Sequence, residues 1–154
     1  MKQALREASK ASEEQEVPIG AVIVMNDRII ARAFNQVEKL TDSTAHAEII
    51  ALTSAFNSVG AKYLPDATLY VTIEPCIMCA GALYWCKIGR VVFGAHDVKN
   101  GYNRFMSHSN WEPSSKKTNT GIHHPPFHPQ TEIITGICHE ECGLLIKDFF
   151  KARR

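Results

Sequence analysis

Leu69-Tyr70-Val71-Thr72-Ile73-Glu74-Pro75-Cys76-Ile77-Met78-Cys79-Ala80 passes from β-formers through a proline into helix formers. A short apolar run rich in β-branched and aromatic residues reads as a strand, and a proline suits the first turn of the helix that follows. Upstream, Thr41 to Thr44 offers N-cap candidates before Ala45-His46-Ala47-Glu48-Ile49-Ile50-Ala51-Leu52, a helix expected to end near Gly60. Downstream, Arg90-Val91-Val92-Phe93-Gly94 reads as a further strand. Strand, helix, strand, helix, strand in sequence implies parallel pairing in part of one sheet, with helices covering its faces, an α/β fold.

The flanks complete this frame. Met1, Ala4, Leu5, Ala8 and Ala11 recur at helical spacing, predicting an amphipathic helix over 1–14 that ends before Val17-Pro18. Ile19 to Met25 and Ile29 to Phe34 flank Asn26-Asp27-Arg28 as the arms of a β-hairpin. Thr131 to Gly136 reads as a fifth strand, and Cys138, Cys142, Leu145, Ile146, Phe149 and Phe150 form the apolar stripe of a terminal helix. Between them, 107–130 is rich in proline and polar residues and reads as a long irregular loop. The length of 154 residues and the 45% hydrophobic content suit one domain spanning 1–154.

No run approaches the roughly 18 apolar residues of a membrane span, and the polar N-terminus lacks a signal core, so the expectation is a soluble, cytoplasmic protein with no membrane partner. With Lys+Arg 17 against Asp+Glu 16, nucleic-acid binding would need a local patch, for which Lys147, Lys151, Arg153 and Arg154 are candidates. Five cysteines without a secretion signal argue for reduced thiols rather than a disulfide framework.

The chemistry is carried by His46-x-Glu48 at one helix start and Pro75-Cys76-x-x-Cys79 at the next, each after a strand. In an open α/β sheet these positions line one crevice. Cys76 and Cys79, three residues apart near a helix N-terminus, are favoured as thiolates, and His46 completes a set of three ligands. Three protein ligands leave the fourth tetrahedral position of Zn²⁺ open to water, the pattern of a catalytic site. Glu48 lies near enough to shuttle protons between that water and a substrate bearing an amino group on a ring carbon. Cys86, Cys138 and Cys142 read as core thiols, the His123-His124 to His128 cluster as solvated loop histidines, and Tyr84 and Trp85 as side chains packed against the sheet. A non-catalytic zinc module that binds RNA or protein is the alternative from another class, and Glu48 beside an open position argues against it.

With these residues aligned, His46-Ala47-Glu48 and Pro75-Cys76-Ile77-Met78-Cys79 resemble the cytidine and deoxycytidylate deaminase superfamily. That resemblance implies a three-layer α/β/α fold with a five-stranded mixed sheet between helices. The segments 17–24, 44–49, 66–83, 88–95 and 141–154 are similar to the bacterial tRNA-specific adenosine deaminase family over nearly the whole chain. It implies a hydrolase that converts adenosine to inosine at the wobble position of a tRNA anticodon loop, with zinc on His46, Cys76 and Cys79, Glu48 as proton shuttle, and a homodimeric state. It further implies substrate contacts from Asn35, Ala47 and Phe149, the last in a terminal segment, Asp148 to Arg154, near the RNA. Tyr84-Trp85 is similar instead to guanine deaminases of the same superfamily, so a free nucleobase (guanine, cytosine or a related heterocycle) is the alternative substrate.

Overall fold

The structure, a computed structural model, describes residues 1–106 and 126–153. The His123-His124 pair, the segment 107–125 of the expected loop and Arg154 therefore lie outside the described residues. The elements follow in the order α1 (Lys2–Glu13), β1 (Gly20–Met25), β2 (Arg28–Phe34), α2 (Val37–Leu40), α3 (Ala47–Val59), β3 (Ala67–Ile73), α4 (Ile77–Trp85), β4 (Arg90–Ala95), α5 (Tyr102–Met106), β5 (Glu132–Thr135) and α6 (His139–Lys151). The short α2 and α5, each a single turn or little more, have too little periodicity to be read from sequence.

The five strands form one mixed sheet in the order β2-β1-β3-β4-β5. β1 pairs antiparallel with β2 and β3, whereas β3, β4 and β5 run parallel. Met25 pairs with Arg28, so the hairpin turn is Asn26-Asp27 alone, both at positive φ (50° and 58°), as a two-residue primed turn requires. The expected three-residue connection thus loses Arg28 to the strand.

Helices cover both faces. α3 and α4 pack over one core, around Ile23, Leu69, Val71, Leu83, Val91 and Phe93, and Phe127 from the end of the long connection enters this core edge-on to Tyr102 at 4.9 Å. α1 and α6 cover the other face, where Ile73, Ala95 and Cys142 meet Leu5 and Ile146. Two strand glycines let them approach: a Cβ on Gly20 would overlap the Ala4 carbonyl in α1, and one on Gly94 would overlap Cys142 Sγ in α6. The layers are thus α/β/α.

Because β1 opposes both its neighbours, β2 runs in the same direction as β3 and β4. Phe34-Asn35, Ile73-Glu74 and Ala95-His96 therefore leave the sheet at one edge, where Gly20, paired with Phe34, also begins β1. His46, Glu48, Cys76 and Asn35 come from this edge or from the helix starts beside it.

Candidate metal centre and its cleft

His46 and Cys76 are both N-cap residues, extended in the backbone (ψ 151° and 171°) and followed at once by helix. Their carbonyls accept the first helical bonds, from Ile50 N–H at 3.1 Å and Ala80 N–H at 2.9 Å. Pro75 accordingly precedes the N-cap instead of occupying the first turn. Two helix N-termini thus converge, and their partial positive charge favours anionic side chains there.

Cys76 Sγ and Cys79 Sγ lie 3.5 and 3.6 Å from His46 Nδ1, and the three atoms fall within 4.8 Å of one another. Zn–S bonds of about 2.3 Å and a Zn–N bond of about 2.0 Å at the tetrahedral angle place nitrogen and sulfur about 3.5 Å apart. Both nitrogen–sulfur distances therefore already match edges of a zinc tetrahedron. Cys79 is fully buried behind it, while His46 and Cys76 line a cleft of 1110 Å³, as does Glu48.

A hydrogen bond from Cys79 and the neighbouring His46 hold the Cys76 thiol down at about 4, while the same sulfur contact and burial push Cys79 up. One thiolate is thus already present at neutral pH, and a divalent cation would draw the proton from the other. The contact with Cys76 raises His46 above its ordinary value. Glu48, in the first turn of α3 and 3% exposed, is pushed to about 7, chiefly by burial. A carboxyl poised there can both take and give a proton near neutral pH.

Comparisons with known proteins agree with this geometry. Residues 1–95 match the family described as the cytidine and deoxycytidylate deaminase zinc-binding region. The tRNA-specific adenosine deaminase of Bacillus subtilis is 42% identical over 154 residues, covering 100% of this chain and 88% of that protein. The chain belongs to the tRNA-specific adenosine deaminase family. It is accordingly a zinc-dependent hydrolytic enzyme. A solved structure from work on A-to-I editing by tRNA:A34 deaminases at the wobble position superposes with a TM-score of 0.76 at 38% identity, covering 94% of this chain and 96% of that one. The guanine deaminase of Bacillus subtilis gives 0.62 at 32% identity, over 77% and 83% of the two chains.

Among the remaining expected site residues, Asn35 lines the cleft, 3% exposed at the end of β2. Ala47 is fully buried and Phe149 is 8% exposed under the Arg153 guanidinium, and neither is among the residues lining the cleft. Phe150, its neighbour, is half-exposed and does line it, with Lys99, Lys147, Lys151 and Arg153. Cys86 and Cys142 are core thiols as expected, whereas Cys138 is half-buried at the N-cap of α6. Tyr84 and Trp85 do not pack on the sheet: they end α4 on its outer side, 40% and 77% exposed.

Two carboxylates at the same edge escaped the sequence reading. Glu74, 4% exposed, accepts from His96 Nδ1 at 2.8 Å and from the Asn103 backbone N–H at 2.9 Å, pinning the 96–103 wall of the cleft beside Cys76. Glu16, 1% exposed, bonds to Asn35. The one signal available was position, a charged residue abutting an apolar strand in Glu16-Val17-Pro18-Ile19 and Ile73-Glu74-Pro75.

Proposed function

We propose that this enzyme converts adenosine to inosine at the wobble position of a tRNA anticodon, acting as one domain on an extruded base. The observation that carries this reading is the cleft, which runs from the metal trio to the basic, aromatic end of α6 instead of closing around one base. At 1110 Å³ it exceeds the roughly 300–1,000 Å³ of ordinary small-molecule sites. Cations for phosphate and an exposed Phe150 for stacking suit a splayed single-stranded loop.

His46, Cys76 and Cys79 would hold the zinc. When bound there, the ion acidifies water and so supplies a nucleophile near neutral pH. Glu48 moves a proton to adenine N1 and later another to the departing N6 amine, so that C6 takes the water oxygen and ammonia leaves. Asn35 holds the extruded nucleotide in register with Glu48. The cytoplasm, where tRNA is found, is the proposed location. Ile77, Tyr84 and Trp85, exposed together on α4, supply an apolar face for a homodimer, checked by the mass of the native protein and of Trp85→Asp in sedimentation.

The deciding experiment offers the zinc-loaded protein an anticodon stem-loop with a wobble adenosine, and separately free guanine, cytosine and adenine. Ammonia release with inosine in the RNA is the expected result. Turnover of a free base alone would keep the hydrolytic chemistry and overturn the substrate.

A further inference from the structure

Glu16 enters the cleft between Gln15, held at φ 65° with its carbonyl accepting from Arg153, and Val17. Its two oxygens are both used. Oε2 accepts from Asn35 Nδ2 at 3.0 Å, and Oε1 accepts from the Lys39 backbone N–H at 2.7 Å in α2. The Asn35 backbone is itself fixed, donating to the Ile19 carbonyl at 3.0 Å. A carboxylate only accepts hydrogen bonds, so the Asn35 amide has one way round: Nδ2 towards Glu16. Asn35 Oδ1 takes no protein partner among the described residues, and no buried side-chain oxygen there is left unpaired, so this oxygen opens into the cleft.

We propose that Glu16 is a positioning residue of the reaction, whose buried carboxylate fixes the Asn35 amide so that its carbonyl oxygen meets a hydrogen-bond donor of the extruded nucleotide. That donor is a hydroxyl or an N–H. The inference rests on the adenosine-deaminase reading above and adds the polarity of the contact and the residue that sets it. A purely structural Glu16 would serve only to join Val37–Leu40 to the start of β1.

Glu16→Gln separates the two roles. The glutamine keeps the volume and both hydrogen bonds: its carbonyl accepts from Lys39 N–H, its NH₂ faces Asn35, and Asn35 turns over to meet it with Oδ1. The fold is preserved while Nδ2 replaces Oδ1 in the cleft. Two donors then face each other, and leaving such a group unmatched lowers kcat/KM about ten- to a hundredfold.

The test measures kcat/KM on the anticodon stem-loop, zinc content and melting temperature for wild type, Glu16→Gln, Asn35→Ala and the double variant. We expect Glu16→Gln to lose activity with zinc and melting temperature unchanged, and to cost less than about twofold more once Asn35 is alanine. Wild-type activity in Glu16→Gln, or losses that multiply in the double variant, would overturn the proposal. So would an Asn35→Ala enzyme with undiminished kcat/KM, since Glu16 would then have nothing to position. A wild-type protein that makes no inosine would fail the deaminase reading itself, a result distinct from the others.

Discussion

Replacing Glu48 by glutamine should remove activity and change how stability depends on pH. In the metal-free protein, burial raises the Glu48 carboxyl from its ordinary 4.5 to about 7. The sign follows from linkage. A group whose folded pKa is raised contributes stability that is complete below 4.5 and is lost as pH climbs through 7. At about 1.36 kcal/mol per pH unit, the loss is about 1 kcal/mol by pH 5 and about 3 kcal/mol at pH 7, where half of the folded carboxyls are ionised. Glutamine carries no such charge. Whatever fixed cost its amide adds, its stability relative to wild type should therefore rise by about 2 kcal/mol from pH 5 to pH 7, or about 4–8 °C in melting temperature for a domain of this size. The assay is thermal unfolding of both chelated proteins at the two pH values, with turnover of the zinc-loaded forms alongside. Loss of the proton shuttle should lower kcat by about 10²–10⁴-fold. A stability difference that does not grow with pH would refute the burial argument, and undiminished turnover with zinc retained would refute the role of Glu48.

Metal analysis should find one zinc per chain in the wild type, and Cys76→Ala and Cys79→Ala should each abolish it, and activity with it, because two ligands no longer complete the trio. Cys86 and Cys142, both pushed to about 11 by burial, should alkylate at pH 8 about a hundredfold more slowly in the folded than in the unfolded protein, read by mass spectrometry. The same raised thiols contribute stability below pH 9 that is lost as pH rises towards 11, so Cys86→Ala should flatten the alkaline limb of the melting curve. Gly94→Ala puts a Cβ against Cys142 Sγ and the Thr72 carbonyl and should cost about 1–3 kcal/mol by overpacking, with Cys142→Ala restoring part of the melting temperature.

Much of the site was legible because its signals are local. His46, Glu48, Cys76 and Cys79 sit within one turn of a helix start, and metal ligation restricts both residue type and spacing. The strand over 69–73, which the structure extends back to Ala67, and the helix after it were equally plain, since β-branched runs and a proline act through the backbone of their own residues. The exposure of Tyr84 and Trp85 was not legible, nor was the burial of Phe149 beneath Arg153 while Phe150 faces the cleft. An aromatic residue near the end of a helix is compatible with either face until the neighbouring layer is placed.

The sequence by itself determined the α/β class and the placing of His46, Glu48, Cys76 and Cys79 within a turn of two helix starts, because each depends on residues close together in the chain. Only the tertiary structure decided which distant groups meet. β1 lies antiparallel between β2 and β3, and that single reversal brings Asn35 to the edge carrying Cys76 and sets it against Glu16. Likewise Glu74 finds His96 only because β3 and β4 end side by side. Burial and partners are properties of packing between segments far apart in sequence, and a carboxylate reads the same in the chain whether solvent or a buried amide awaits it.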